Sequence, residues 1–393
     1  MVQARVRTYV TVLTNRYLLL HMHSKLCQYH PRLLIGTSAT LLVFYVVWIW
    51  IHPVGVQFPR VLLLDLFIVR PFFNQCHVNS LPNLSQLNWP EPQVSKKPVG
   101  QRINGQIQVT SRSFEPSMSR GQRALFEHLL RLFADLMFSN GMGDRFFLNG
   151  GTLLGSFRHH DMIPWDDDVD VLVDVDVRGK IHRLVQSLSP RYLLHSTNTR
   201  DKLFTRILNS SLDTFDMEYS RNTSTYPWGW PALDIGYYAA NVTHIYELAL
   251  FNGRVTYWPR NLVFPLLFRP LGVHWYPTPY STLRFLRVRD NFDANCLVTS
   301  WNHAFETANA ILSQPCHQLG ARYAFVARRK SEDMLVSLDD ELLRSPETQL
   351  VAAEEVLEVR WANGSGKTVF HVLQLPLHLS DLTIKTYDYT NRY

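Results

Sequence analysis

Charged residues are scarce in this chain. They make up 18% of its 393 residues, whereas hydrophobic residues make up 46%. This composition excludes an intrinsically disordered protein and a coiled coil, because both need a much larger charged fraction. The chain has only four cysteines, which excludes a disulfide-dense scaffold and a zinc array built from many cysteines.

Acidic residues are absent from the first 60 positions, which hold six Lys and Arg residues. Removing these six from the 39 Lys and Arg leaves 33, equal to the 33 Asp and Glu of the chain. The net charge of +6 is therefore a property of the N-terminus. We expect no basic nucleic-acid-binding face, and hence no nucleic-acid partner.

An uncharged apolar run covers residues 33–51. At about 1.5 Å per helical residue, its length approaches the thickness of a bilayer core. Five Lys and Arg precede the run, and the first acidic residue, Asp65, follows it. Because positive charge stays in the cytosol, the pattern predicts a transmembrane signal anchor with residues 1–32 as a cytosolic tail and the rest lumenal. A buried core helix is the alternative, and a cleaved signal peptide fits less well because a long segment precedes the run.

The segment that follows predicts a stem over residues 52–119. Much of it is rich in Asn, Gln, Ser and Pro and lacks a helical or strand period, which is typical of a spacer between membrane and domain. Five Asn-x-Ser/Thr sequons lie on the predicted lumenal side, at Asn83, Asn209, Asn222, Asn241 and Asn363. We expect them to be N-glycosylation sites.

Three cysteines would face an oxidising lumen. We expect Cys296 and Cys316 to form a disulfide, which leaves Cys76 in the stem as an odd thiol that could link two chains into a homo-oligomer. Three cysteines allow other pairings, and the sequence leaves these open.

The hydrophobic pattern after the stem predicts a folded domain that mixes helices and short strands. It predicts helices over 122–138, 177–188 and 305–313, and strands over 145–148, 169–175, 192–195, 203–208 and 232–238. This is an α+β fold with α/β-like features, placed at residues 120–310, with 311–393 as its C-terminal extension. Residues 364–368, GSGKT, lack the leading glycine of a P-loop and are flanked by strand-like segments, so they predict a hairpin turn.

The candidate chemistry is concentrated in residues 150–171, GGTLLGSFRHHDMIPWDDDVDV. Gly150 and Gly151 allow close approach of the backbone and precede a helix, whose N-terminal amides suit a phosphate. Arg158 can pair with phosphate oxygens. Asp168 and Asp170 alternate along a strand and therefore share a face, at a spacing that suits Mg²⁺ or Mn²⁺. The alternative interpretation of the acidic run is a solvated charge cluster or a calcium loop.

This block resembles the signature of the LicD/fukutin family, which belongs to the nucleotidyltransferase-fold superfamily. The resemblance covers about residues 121–305. It matches Gly150 and Gly151 to the family's glycine turn, Asp168 and Asp170 to its Asp-x-Asp strand, Asp166 to an additional acid, and Asp234 to the third acid. Family members often have Tyr-Gly at the position of Arg287-Val288-Arg289, and this departure concerns contacts to the acceptor.

The resemblance implies a type II Golgi membrane enzyme, with the endoplasmic reticulum as a second location. It implies transfer of ribitol phosphate or phosphocholine from a CDP-linked donor to a glycan acceptor, with release of CMP and with Mg²⁺ or Mn²⁺ as cofactor. The implied catalytic residues are Asp168, Asp170 and Asp234. The implied metal ligands are these three and Asp166, and the implied donor contacts are Gly150, Gly151, Thr152, Arg158, Lys202 and Arg206.

Three interpretations stay open. Lys202 and Arg206 could equally be ordinary surface charges beside a strand. The adjacent His159 and His160 are expected to be partly exposed near the site, and Tyr226, Trp228 and Trp230 either stack on a sugar or base or pack in the core. The functional alternative is a catalytically silent family member that positions another Golgi enzyme.

Overall fold

The computed structural model describes the residues 58–61, 68–96, 102–103, 106–107, 112–205, 221–223, 226–251, 253–289, 295–298, 301–330 and 350–382. These residues belong to one compact unit, Phe58–Tyr393. No helix within the described ranges is long and apolar enough to cross a membrane. The transmembrane helix predicted over residues 33–51 lies outside these ranges.

The described elements are short, apart from one long helix and one long hairpin. The helices are α1 Gln75–Val78, α2 Arg120–Ser139, α3 Gly150–His159, α4 Arg178–Gln186, α5 Arg260–Val263, α6 Thr282–Arg287 and α7 Leu379–Leu382, with 3₁₀ turns at Leu84–Gln86, Val175–Val177 and Cys316–Leu319. The strands are β1 Arg60–Val61, β2 Ile68–Val69, β3 Arg102–Ile103, β4 Gln106–Ile107, β5 Phe146–Leu148, β6 Val169–Asp174, β7 Tyr192–Ser196, β8 Arg200–Thr205, β9 Arg221–Asn222, β10 Gly229–Trp230, β11 Ala232–Ala240, β12 His244–Glu247, β13 Tyr257–Pro259, β14 Leu266–Leu271, β15 His274–Thr278, β16 Asn295–Val298, β17 Trp301–Asn302, β18 Thr307–Ala308, β19 Leu312–Pro315, β20 Phe325–Lys330, β21 Leu350–Arg360 and β22 Lys367–His378.

A mixed sheet of seven strands organises the candidate site. Its order is β13-β12-β11-β6-β5, and the hairpin β7-β8 joins the part of β11 that β12 leaves unpaired. β6 and β11 run parallel with Asp170 opposite Asp234, while antiparallel β8 places Lys202 opposite Asp234. Residues paired in register share a sheet face, so these three side chains project together. The predicted mixture of helices and strands is confirmed.

Helix α2 covers the apolar face of this sheet. Ser119 and Gln122 form a capping box, which the sequence pattern did not predict. The helix begins at Arg120, close to the predicted start at residue 122. Phe126, Leu129 and Phe133 are buried at helical spacing, and the Phe133 ring meets the Phe146 ring of β5 edge-to-face. Burial of this apolar stripe is the main source of helix stability, since each large side chain contributes about 1.5–3 kcal/mol.

Part of the predicted stem packs on the folded unit. Leu84, Phe114 and Met118 are buried in the core, β2 pairs with β14, and β1 pairs with β22. These apolar residues are isolated among polar ones in the sequence, so no periodic signal marks them as core. The folded unit therefore begins well before residue 120.

The C-terminal residues form a second sheet of order β1-β22-β21-β20. β21 and β22 pair as an antiparallel hairpin, as predicted: Gly364, Ser365 and Gly366 of the GSGKT segment lie in its turn, and Lys367 and Thr368 begin β22. The predicted helix over 305–313 is wrong: this stretch contains β18 and the start of β19. Glu306 has a left-handed φ of 52°, which ends any helical continuation at that point.

A buried ionic cluster joins α3 to this second sheet. Glu355 is fully buried and pairs with Arg269, Arg328 and His160. Burial by itself raises the pKa of Glu355, but the two guanidinium groups outweigh it and hold the pKa well below its usual range. The prediction that His159 and His160 are partly exposed is wrong, because both are buried; they lie at the end of α3, under β20 and β21.

Candidate active site

The glycine pair gives the buried carboxylates room to approach the helix. Gly150 has φ +52°, and a Cβ there would lie 2.7 Å from Asp170 Oδ2. A Cβ on Gly151 would lie 2.0 Å from Asp166 Oδ2. Only glycine fits at both positions, because a methyl group would occupy the space of the acid. The two glycines thus set the distance between the start of α3 and the acidic segment.

Thr152 fixes the same junction by a hydrogen bond. The Asp170 backbone N–H donates to Thr152 Oγ1 at 2.8 Å, and the Asn149 N–H donates to the Asp170 carbonyl at 3.1 Å. Thr152 is buried, so this hydroxyl aligns the start of β6 with the helix. The predicted donor-binding role of Thr152 stays a prediction.

Four aspartates line one cavity of about 300 Å³: Asp166, Asp168, Asp170 and Asp234. These are the four acids that the sequence singled out. Asp166 and Asp168 lie on the segment that leads into β6, Asp170 lies on β6, and Asp234 lies on β11. The acids are separated by up to 68 positions, and the parallel pairing of β6 with β11 is what brings them together.

The carboxylates destabilise one another as anions. Burial raises the pKa of Asp166 well above its usual value, and the charges of Asp168 and Asp167 raise it further. Burial likewise raises the pKa of Asp170, with added repulsion from Asp168 and Asp234. The side chains of Asp166 and Asp168 interact directly, which also raises the pKa of Asp166. Such a cluster favours a bound cation or retained protons.

Lys202 provides the counter-charge for Asp234. Its Nζ donates to Asp234 Oδ1 at 2.6 Å and to Oδ2 at 2.8 Å, and it lies 3.4 Å from Glu306 Oε1. Burial lowers the pKa of Lys202, but Asp234 and Glu306 outweigh burial and raise it. Lys202 is therefore a protonated partner of the third acid rather than an ordinary surface charge.

Two further residues join the acids and were not predicted. His303 donates its backbone N–H to Asp167 Oδ2 at 2.9 Å, and its Nδ1 lies 2.9 Å from Asp167 Oδ1. Its Nε2 lies 3.4 Å from Asp168 Oδ2. Burial lowers the pKa of His303, but Asp168 and Asp167 outweigh burial and raise it well above its usual value. In the sequence, His303 follows Trp301 and Asn302, and this pattern indicates no role for the histidine.

The donor set suits a metal ion. Asp167, Asp168 and His303 each offer one ligand atom, and these three atoms lie within 4.8 Å of one another. A histidine whose Nδ1–H donates to a carboxylate presents Nε2 as a ligand, which is a common arrangement at metal centres. Asp168 belongs both to this group and to the predicted set of acids. The carboxylate and imidazole chemistry thus fits a divalent cation at the acidic end of the cavity.

Comparison with known proteins agrees with this geometry. Residues 143–281 match the family described as LicD/FKTN/FKRP, nucleotidyltransferase domain. The match covers 139 of the 393 residues. It includes the glycine pair, the four aspartates of the cavity and Lys202, whereas His303 lies beyond its end.

Curated relatives extend the match to individual proteins. Over 147 residues the chain is 26% identical to the ribitol 5-phosphate transferase FKRP of Mus musculus and 26% identical to that of Homo sapiens. The aligned stretch is 37% of this chain and 28% of each relative. The chain therefore aligns with well under two thirds of the length of these transferases.

Arg158 lies within residues 143–281, the stretch that matches the LicD model, and its side chain is buried. It lines the cavity and is 1% exposed, with its guanidinium over the Trp165 ring and Nη1 3.5 Å from Cys316 Sγ. Burial lowers its pKa to about 10, while Asp166 acts in the opposite direction. The positive charge of Arg158 therefore offsets part of the negative charge of Asp166. Arg206, the other predicted arginine, lies outside the described residues.

The aromatic candidates divide into two groups. Trp230 is buried and donates its Nε1–H to the Asp167 carbonyl at 2.8 Å, so it supports the acidic segment from within the core. Trp228 lies under Lys202, with Nζ 5.2 Å from its ring centre, and it donates to Glu306 Oε1 at 2.9 Å. Tyr226 stacks on Trp228 and is 39% exposed.

Cys296 and Cys316 form a disulfide in the structure. The bond ties β16 to the start of the 3₁₀ turn that follows β19, next to Arg158. Cys76 is a free, exposed thiol. The described part of the chain thus has the pairing that we expected.

Three sequons are exposed in turns: Asn83, Asn241 and Asn363. In each, the side-chain oxygen of Asn accepts a hydrogen bond from the hydroxyl of the sequon's Ser or Thr, at 2.7, 3.2 and 2.8 Å respectively. Asn222 belongs to β9, and Asn209 lies outside the described residues.

Proposed function

We propose that this chain is a metal-dependent phosphotransferase. It transfers a phosphorylated alcohol, of the ribitol phosphate or phosphocholine type, from a CDP-linked donor to a hydroxyl group of a glycan, and it releases CMP. The observation that supports this proposal most is the convergence of Asp168, Asp170 and Asp234 on one cavity beside a glycine pair that opens a helix. The match to the LicD domain and the similarity to ribitol 5-phosphate transferases support the same chemistry.

Each residue has a proposed task. Asp168 and Asp170 hold Mg²⁺ or Mn²⁺, with Asp166 and His303 beside them. When bound, the cation neutralises charge on the donor diphosphate and on the departing CMP. The N-terminal amides of α3 at Gly151 and Thr152 face the phosphates. Asp167 orients His303 by accepting two hydrogen bonds from it.

Asp234 is the proposed acceptor of the proton from the attacking hydroxyl group. Lys202 donates to both of its oxygens, so the carboxylate has a counter-charge and a fixed position in the cavity. A carboxylate within hydrogen-bond reach of the hydroxyl group raises its nucleophilicity as the proton leaves. Lys202 then keeps Asp234 in position, because its amine is held by Glu306 on the other side.

The competing function is a catalytically silent protein that positions another glycosylation enzyme. The observation that favours it is the ion pair of Lys202 with Asp234, which neutralises the third acid without a cation. Incubation of the full-length chain with CDP-ribitol and CDP-choline, a glycan acceptor, and Mg²⁺ or Mn²⁺ separates the two. Cation-dependent CMP release that disappears in EDTA supports the enzyme, and no CMP release with either donor supports the silent protein. The full chain is required because β1 and β2 belong to the folded unit.

We also propose that the chain is a single-pass type II protein of the Golgi membrane, anchored by residues 33–51. The donor and the glycan acceptor would meet the catalytic domain in the lumen. The Cys296–Cys316 disulfide and the exposed sequons at Asn83, Asn241 and Asn363 are compatible with that compartment. Cys76 is accessible for a link between two chains.

A further inference from the structure

An arginine pair lines the cavity together with the acids. Arg200 and Arg289 line the same cavity as Asp168, Asp170 and Asp234. Arg200 was not singled out in the sequence, because it begins a short strand, and Arg289 was named only as part of the departure from the family at Arg287-Val288-Arg289. Arg200 lies two positions before Lys202 on β8, so both side chains project from the same sheet face, about 7 Å apart along the strand.

Glu247 holds both guanidinium groups in place. Its side chain is 1% exposed, and its two oxygens lie 3.3 Å from Arg200 Nη2 and 3.3 Å from Arg289 Nη1. Gly236, which is paired with Arg200 across the sheet, lies beside this carboxylate. Arg289 also lies over the Phe251 ring, at 4.5 Å from its centre. Contact with the buried Glu247 therefore fixes the positions of the two arginine side chains.

The two guanidinium groups share one carboxylate, Glu247, and keep most of their donors for an anionic ligand. The positive charge of Arg200 also acts on Asp170 in the same cavity. Each guanidinium has five N–H donors and uses one on Glu247 among the described residues. The Arg289 side chain is 17% exposed and the Arg200 side chain 43% exposed, so both can reach a ligand within the cavity.

We infer that Arg200 and Arg289 form a phosphate-binding subsite, and that Glu247 positions them. Guanidinium groups bind phosphate oxygens directly, whereas the acids of the same cavity require a cation to do so. A phosphate in the cavity would be bound by the two arginines and, through a cation, by the acids. The inference rests on the proposed function for the source of the phosphate, which is either the donor diphosphate or a phosphate already present on the glycan acceptor.

The test uses the full-length chain and the variants Arg200→Ala and Arg289→Ala. Arg254→Ala is the matched control, because Arg254 is exposed on the neighbouring turn and does not line the cavity. The first measurement is binding of inorganic pyrophosphate in EDTA by calorimetry. We expect each subsite variant to weaken binding by about tenfold or more, as expected for loss of a charge-assisted hydrogen bond, and Arg254→Ala to bind like the wild type.

The second measurement is the KM for CDP-ribitol or CDP-choline and for the acceptor. A rise of about tenfold in donor KM with a smaller change in kcat assigns the phosphate to the donor, and a rise in acceptor KM assigns it to the acceptor. Wild-type pyrophosphate binding that is absent, or that is unchanged in both variants, overturns the subsite. If the wild type releases no CMP but the variants lose pyrophosphate binding, the proposed function fails and the subsite stands.

Discussion

The glycine that faces Asp166 offers a sharp test of how the site is built. In Gly151→Ala the new methyl carbon would lie 2.0 Å from Asp166 Oδ2 and 3.2 Å from its Cγ. Ordinary contacts between such atoms are about 3.5 Å, so the carboxylate must move by more than 1 Å. Asp166 is buried and its side chain interacts with that of Asp168, so its displacement also disturbs Asp168.

We expect two separate effects of this substitution. Overpacking should cost about 1–3 kcal/mol, which lowers Tm by roughly 2–8 °C. CMP release should fall further than stability, by about 10²-fold in kcat, because a 1 Å displacement of a group at the reacting centre has an effect of that order. Thermal unfolding monitored by circular dichroism and CMP release at saturating Mn²⁺ measure the two.

The control and the double variant make the reasoning refutable. Gly179→Ala lies in α4, where the new Cβ would meet only Arg183 Nη1 at 3.8 Å, and alanine there should raise stability by about 0.5–1 kcal/mol without affecting turnover. In an Asp166→Ala background the clash is gone, so adding Gly151→Ala should cost little stability. Wild-type CMP release by Gly151→Ala, or the same loss of Tm in both backgrounds, would refute the proposed contact.

The remaining predictions concern charge, pH and topology. Asp170→Asn should lower CMP release by about 10²-fold or more. It should also raise Tm in EDTA, because it relieves the repulsion that raises the pKa of Asp170. The control Asp176→Asn, at an exposed position, should change neither quantity, and an unaltered rate in Asp170→Asn contradicts the metal site. Burial lowers the pKa of His371 to about 3, so the neutral form contributes stability above the unfolded pKa of about 6.5 that is lost as pH falls toward 3. The Tm of His371→Gln should therefore fall less steeply between pH 7 and 5 than that of the wild type or of the exposed variant His317→Gln, and parallel curves would contradict this assignment. Protease treatment of sealed microsomes should remove only residues 1–32, whereas digestion of the large domain would contradict the lumenal topology.

The sequence by itself determined the features that depend on local spacing. The alternation of Asp168 and Asp170, the glycine pair before a helix and the apolar stripe of α2 are all visible within about twenty residues, because strand and helix periods are local properties. The GSGKT turn was recognisable for the same reason. The helix predicted over 305–313 was wrong because the apolar residues of this stretch fit a helical period. The left-handed backbone of Glu306 in a turn has no signal in the local sequence.

Only the tertiary structure decided which distant residues complete the site. His303 meets Asp167 across 136 positions, Lys202 meets Asp234 through antiparallel pairing, and Glu247 gathers Arg200 and Arg289 from separate elements. A polar side chain has the same local pattern whether it faces solvent or a cavity, so periodicity cannot distinguish the two. Strand register and burial set these partners, because a buried charge is tolerated only where the fold supplies a counter-charge or a ligand.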